Sequence, residues 1–199
     1  MIRKNISCLN YLCDLICDER SLNKALAYKI IGKNEPNTLI SDLVFCNSSS
    51  LKEGDLSEDG DIPTYGAAGI SGYTDRSLSK RESILVTKDG SGVGSLRFVR
   101  GRHSFVGTLN SLTPKEGIYL PYIYYALFNV NFEKYRTGQA IPHIYFKDFG
   151  KEAIFCPDYS QQKRLAKVLE FIDSIIEHEK RLLKALCSIK KYGLSEMFI

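Results

Sequence analysis

The chain has 199 residues, 44% of them hydrophobic and 25% charged, which supports one or two domains with a buried core and excludes a largely disordered state. Lys and Arg number 27 against 23 Asp and Glu, so the net charge of +4 permits an anionic partner without demanding one. No apolar run approaches the roughly 20 residues of a bilayer span, and Met1 to Arg20 lacks the apolar centre of a signal peptide, so the sequence predicts a cytoplasmic chain with no membrane role.

In chain order, residues 1–35 read as helical, with Leu9, Leu12, Ile16, Leu22, Leu26 and Ile30 at helical spacing until Gly32, Asn34 and Pro36 break it. Two of the cysteines in this stretch, Cys13 and Cys17, stand four apart and suit small buried apolar positions. The six cysteines as a set (also Cys8, Cys46, Cys156 and Cys187) show no C-x-x-C pair and no matching histidines, so neither zinc nor a disulfide scaffold is indicated.

From Thr38 to Cys156 the chain reads as short strands separated by glycine-rich turns: 83–87, 95–99, 104–106 and 153–155. One helix interrupts them, with Pro121 in its first turn and Ile123, Leu127 and Val130 on its apolar side up to about Asn131. A third segment starts at Asp158 as N-cap, with Gln161 as its capping-box partner, and runs helically towards Lys191 before Gly193. Leu165, Val168, Leu169, Ile172, Ile175, Ile176, Leu182, Leu183, Leu186 and Ile189 form a continuous stripe along this helix, which is about 50 Å long at 1.5 Å per residue. The first turns can pack on their own domain, but a domain of about 120 residues is only some 30 Å across, so the distal half is expected to meet another chain. The fold class is therefore α+β: a globular mixed-strand domain (36–157), a short N-terminal helical segment (1–35) and a long C-terminal coiled-coil helix (158–199).

Charge is polarised along the middle segment. Residues 42–61 hold one Lys against six acidic groups, whereas 76–102 hold Arg76, Lys80, Arg81, Lys88, Arg97, Arg100 and Arg102 against Glu82 and Asp89. Such a stretch fits a solvated face as well as a nucleic-acid contact.

Catalytic signals are weak. The run from Asp89 to Gly94 has the glycines of a phosphate loop but lacks the Lys-Ser/Thr and leads into a strand, so a hairpin turn is expected. His103, His143 and His178 have no nucleophile motif nearby, no carboxylate cluster suggests a metal nuclease, and the Asn/Asp-Pro-Pro-Tyr/Phe sequence of amino-methyltransferases is missing.

The order of the motifs carries more than any one of them. It runs from Asn37 to Leu43, through Gly60 to Tyr73 and Ile84 to Gly94, to the helix Tyr122 to Phe128. Arg136 to Ile144, Ile154 to Pro157 and the helix opening Gln161 to Ala166 complete it. Over about 160 residues this order resembles the specificity (S) subunits of type I restriction-modification systems. Those subunits usually carry two target recognition domains and two long spacer helices; this chain has one of each. The resemblance therefore implies a half-subunit that homodimerises, although a fragment of a longer gene would read the same way.

The resemblance implies recognition without catalysis. Residues 36–157 would be the target recognition domain, binding double-stranded DNA, while methyltransferase (M) subunits carrying S-adenosylmethionine modify it and restriction (R) subunits cut it; no cofactor is expected in this chain. Loop position and polar reach combine with the family pattern to nominate Tyr73, Lys88, Ser91, Arg136, Gln139 and His143 as DNA-binding residues, with Gln139 able to read adenine bidentately. Tyr73 capping the core and Ser91 satisfying its own turn are competing structural roles. Leu165, Leu169, Ile172, Ile175, Ile176, Leu182, Leu183 and Leu186 are the nominated dimerisation residues. A small nuclease and a dimeric coiled-coil scaffold are the alternatives.

Overall fold

The computed structural model describes residues 19–57 and 59–197. Cys8, Cys13, Cys17, Leu9, Leu12 and Ile16 lie outside that range. Helix α1 (Glu19–Ala27) continues into a π turn, Tyr28–Gly32, and buries Ala27 and Ile31. A two-residue strand β1 (Thr38–Leu39) and a single helical turn α2 (Ile40–Leu43) lead into β2 (Val44–Ser48). There follow β3 (Ile62–Gly66), β4 (Gly69–Thr74), β5 (Ser83–Thr87), β6 (Leu96–Val99), β7 (Ser104–Phe105) and β8 (Leu109–Pro114). Helix α3 (Leu120–Ala126), extended by a 3-10 turn Leu127–Asn129, precedes a second 3-10 turn Phe132–Tyr135, helix α4 (Phe146–Phe149), β9 (Ala153–Ile154) and the long helix α5 (Tyr159–Met197).

β5 explains the architecture. All five of its residues are buried, because it has a neighbour on each edge and a hydrophobic cluster on each face. The antiparallel sheet runs β2-β8-β5-β6. Ile84 and Val86 point into the main core with Leu112, Tyr122, Ile123 and Leu127, while Leu85 joins Val99, Phe105 and Leu109 on the other side. The two-residue side-chain period of a strand produces this split, and burial on both faces is why the sequence shows an unbroken apolar run. A second sheet, β4-β3-β7, pairs β3 with β7 in parallel. β1 pairs with β9, setting Thr38 beside Ile154 and closing the two ends of the strand region together.

The main core also takes in Ile31 from the N-terminal side and Ala166 and Leu169 from α5. The base of α5 is fixed by polar contacts. Asp158 accepts the Gln161 amide through its carboxylate at 3.0 Å, as an N-cap should. Gln162, only 2% exposed, accepts the Tyr119 amide at 2.9 Å and donates to the Pro157 carbonyl at 2.8 Å. Further along, the Tyr125 hydroxyl donates to Asp173 at 2.6 Å and Arg100 pairs with Glu170 at 3.0 Å. Burial, then the Asp173 contact, pushes the Tyr125 phenol far above its ordinary range, so it remains a donor.

One expectation is corrected. The helix does not stop before Gly193 but continues to Met197, giving 39 residues or about 58 Å; a single interior glycine costs only about 1 kcal/mol relative to alanine and does not end a helix. The strands β2, β3, β4 and β8 were not individually visible in the sequence pattern.

Candidate nucleic-acid interface

The β5–β6 connection, residues 88–95, is a tight hairpin loop rather than a phosphate cradle on a helix. Gly94 donates to the Thr87 carbonyl at 2.9 Å and Val93 to Gly90 at 3.2 Å, folding the loop back on the strand that supports it. Gly94 has φ +80°, and a Cβ there would lie 2.7 Å from the Phe132 Cβ. That close approach needs glycine, and it presses the loop onto the 3-10 turn from which the segment 136–143 departs.

Residues 137–143 form a second, self-closed loop. Thr137 and His143 exchange backbone hydrogen bonds of 2.9 and 2.8 Å across its neck. At its tip Gly138 has φ +83° and Gln139, Ala140 and Ile141 are exposed, Ile141 at 60%. The Lys134 ammonium, 2.7 Å from Glu152, and Arg136, 3.2 Å from Glu133, tether the chain where it enters this loop.

The two loops are joined edge to edge. Gly90 donates to the Pro142 carbonyl and Ile144 to the Lys88 carbonyl, both at 2.9 Å, and the His143 Nδ1 lies 2.7 Å from the Asp89 carboxylate. A carboxylate accepts only, so Nδ1 carries the hydrogen and the ring's Nε2 is left for another partner. The Lys88 ammonium stands 3.8 Å from the same carboxylate. Five of the nominated residues, Lys88, Ser91, Arg136, Gln139 and His143, thus fall on one pair of abutting loops. Ser91, Arg136 and Gln139 are exposed, whereas Lys88 and His143 are half-buried.

Asp89, Thr137 and Ile141 complete this constellation and were not nominated from the sequence. Asp89 sits next to Lys88 inside the motif, but its partner is 54 residues away; only the fold discloses the pairing. Behind the loops, burial raises the Cys46 thiol to about 11 against the opposing pull of Lys88, so this cysteine stays protonated and unreactive.

Tyr73 stands elsewhere. It lies on β4 beside Pro63 of β3 and Ser57, three residues before Arg76, and is 37% exposed. The basic stretch is likewise divided by β5. Lys88 follows its C-terminal end, whereas Arg76, Lys80 and Arg81 precede its N-terminal end, about 17 Å away at 3.3 Å per residue. That second group, exposed along with Arg102, flanks the Ser79–His103 bridge. His103 is fully buried, with Nε2 2.7 Å from the Ser83 hydroxyl and Nδ1 2.9 Å from the Gly101 carbonyl. Burial, partly offset by that carbonyl, lowers its pKa, so it is a neutral structural histidine. Arg97 is drawn over the Tyr65 ring at 5.9 Å, and Arg100, exposed at the surface, pairs with Glu170.

The nominated dimerisation residues separate by depth. Leu169 is buried in the main core, Leu165, Ile172, Ile176 and Leu183 are half-buried, and Ile175, Leu182 and Leu186 are exposed. Among the described residues no group of three or more His, Cys, Asp or Glu could hold a metal ion, and no helix is long and apolar enough to cross a membrane.

Residues 40–187 match the family described as the type I restriction modification DNA specificity domain. Over 161 residues the chain is 27% identical to a putative type I specificity subunit from Mycoplasma pneumoniae strain ATCC 29342 / M129, a match covering 74% of this chain and 41% of that protein. Among solved structures it is similar to the type I restriction-modification S subunit from M. genitalium, with a TM-score of 0.70 at 18% identity over 95% of this chain and 57% of that one. The HsdS subunit from Thermoanaerobacter tengcongensis gives a TM-score of 0.59 at 15% identity over 94% and 56%. The α+β arrangement with a long C-terminal helix is therefore shared with S subunits, and the chain spans about half the length of these relatives.

Proposed function

The chain belongs to the type I restriction-modification DNA specificity domain family, and on that premise we propose that it is the non-catalytic, DNA-reading subunit of a cytoplasmic type I complex. The observation that carries the reading is the joining of the 88–94 and 136–143 loops, through His143–Asp89 and Gly90–Pro142, into one polar edge on a rigid sheet. Sequence is read by groups that reach base edges in a fixed register, and loops held by a packed scaffold supply that register. Gln139 presents a donor and an acceptor, the pair that adenine answers in the major groove, and His143 offers Nε2. Lys88 and Arg136 neutralise phosphates and set the position of the loops on the duplex.

The division of labour follows. Methyltransferase subunits, which bring S-adenosylmethionine, and restriction subunits perform the chemistry at the place this chain selects. Two copies, related by a two-fold axis and joined through α5, read the same half-site on opposite strands, so that the target is bipartite. Reconstitution tests the assignment. With S-adenosylmethionine and host DNA, the methyltransferase subunits with this chain should transfer methyl groups to one defined sequence, while neither component alone does so. Methylation of unchanged pattern without this chain, or product made by this chain alone, would overturn it.

A further inference from the structure

Within residues 88–94 and 136–143 Asp89 is the one carboxylate. It repels the phosphates that Lys88 and Arg136 attract, and the junction of the two loops does not depend on its side chain. Gly90–Pro142, Ile144–Lys88 and the paired bonds between Thr137 and His143 close the backbone at 2.8–2.9 Å. The carboxylate is committed elsewhere, and its two oxygens are divided. Oδ1 accepts from the His143 Nδ1–H at 2.7 Å, while Oδ2 faces the Lys88 ammonium at 3.8 Å. Lys88 thus supplies the counter-charge, and the ring serves the carboxylate as a neutral donor.

The ring is confined on its other side as well. A Cβ at Gly138 would lie 3.3 Å from the His143 Cδ2, the carbon bonded to Nε2, so the bare glycine packs beside that edge of the ring. Nε2 itself has no hydrogen-bond partner among the described residues and is not buried.

From this geometry we infer that Asp89 decides which bases His143 reads: by keeping the hydrogen on Nδ1 it makes Nε2 an acceptor, and an acceptor selects a base that offers an amine. This rests on the DNA-reading function proposed above and names the base class that one of its readers selects. In the major groove adenine presents the N6 amine and cytosine the N4 amine, whereas guanine presents N7 and O6 and thymine O4, all acceptors. Every base pair joins one amino base to one keto base, so the contact reports which strand carries the amine. Without the carboxylate the hydrogen is free to move to Nε2, and the same ring becomes a donor that answers guanine or thymine. Asp89 is therefore a positioning residue, acting on specificity through His143.

Nitrogen-15 NMR of the full chain labelled at histidine reads the tautomer without DNA. At about pH 8, above the ordinary histidine range, the His143 signal, identified by its loss in His143→Ala, should show the hydrogen on Nδ1 and a bare Nε2. In Asp89→Asn a substantial part should move to Nε2, while His103, bonded to Ser83 and the Gly101 carbonyl, keeps its signal and reports an intact fold. A hydrogen on Nε2, or on both nitrogens, in the unsubstituted chain would overturn the inference, and that spectrum decides even where the variant is unstable. A tautomer unchanged by Asp89→Asn would overturn it too.

The effect on specificity is read with the methyltransferase subunits present. At one position of each half-site the unsubstituted complex should methylate duplexes with adenine or cytosine on the read strand in preference to guanine or thymine. Asp89→Asn should narrow that preference about tenfold, with the other positions unchanged. Loss of the negative charge by itself tightens binding to every sequence alike and leaves the preference as it was. A defined motif that Asp89→Asn leaves intact would overturn the inference while the DNA-reading function stands; no defined motif with this chain would overturn both.

Discussion

Gln162→Ala should cost far more than its place in the first turns of a surface helix suggests. The side chain is 2% exposed and closes three contacts: the Tyr119 amide at 2.9 Å, the Pro157 carbonyl at 2.8 Å and the Cys156 sulfur at 3.4 Å. Truncation strands the half-buried Tyr119 amide and leaves the half-buried Pro157 carbonyl with only the Cys156 thiol at 3.9 Å, at about 1–3 kcal/mol for each fully stranded group. Water entering the vacated volume recovers part of this, so a loss of about 2–4 kcal/mol follows. For a chain of this size each kcal/mol lowers Tm by roughly 2–4 °C, so the drop should be about 5–15 °C. Differential scanning calorimetry at one fixed protein concentration measures it, with Gln161→Ala, an exposed neighbour, shifting Tm by no more than about 2 °C. Equal Tm values for the two variants would refute the claim that Gln162 fixes the base of α5.

Gly94→Ala forces φ +80° on an alanine and sets its Cβ 2.7 Å from Phe132; the variant should lose about 2 kcal/mol or more in urea denaturation, and a change below about 0.5 kcal/mol would show that the two loops are not packed as described. His103 carries a pH signature. Its pKa is lowered from the ordinary 6.5 chiefly by burial, so above that value folded and unfolded states are alike neutral, and below it the unfolded chain takes up a proton the folded chain resists. Stability therefore falls as pH drops from 6.5, by at most about 1.4 kcal/mol per pH unit from this residue, and His103→Gln should flatten the dependence of Tm between pH 7 and 5.5. An unchanged slope contradicts it. In DNA-binding competitions with the reconstituted methyltransferase, Gln139→Ala or His143→Ala should each relax discrimination at one base pair by about 1–3 kcal/mol while leaving non-specific affinity within a few-fold; a uniform loss on all sequences would assign these residues to phosphate contact instead.

What could be seen in the sequence depended on how local its cause was. β5 announces itself because burial on both faces requires Ile84, Leu85 and Val86 in succession, and α5 because Asp158 caps it and its periodicity persists. β8 is hidden. It lies between β2 and β5 yet carries buried Asn110 and Ser111, the former taking a 2.9 Å bond from Ser48 that no composition rule foresees. β3 and β4 are hidden by Pro63, Gly66, Gly69 and Gly72, turn-formers that here sit in a hairpin with a register shift at Thr64/Tyr65. Gln162 resembles any solvent-facing glutamine until the Tyr119 amide is brought against it.

The site follows the same rule. Loop chemistry nominated Lys88, Ser91, Arg136, Gln139 and His143 one at a time, because glycines and polar tips are local signals. Their union, through Asp89 and Pro142, depends on contacts about fifty residues apart and needed the fold. Tyr73 was nominated with them from the motif order, and the chain topology sets it on β4, beside Pro63 and Ser57. The stripe of α5 is plain in the sequence, but only the depth of each side chain separates buried Ala166 and Leu169 from exposed Phe171, Leu182 and Ile189.

The measurement that bears most directly on the account is long-read methylome sequencing of DNA modified by the methyltransferase subunits together with this chain as the sole specificity subunit. Two identical recognition domains at opposite ends of an antiparallel helix pair should yield an inverted repeat of two short half-sites. The 159–191 stretch of α5, about 50 Å long at 1.5 Å per residue and so matching roughly 15 base pairs of duplex at 3.4 Å each, leaves a gap of about five to eight base pairs between them. A continuous motif, two unlike half-sites, or no defined motif would contradict it.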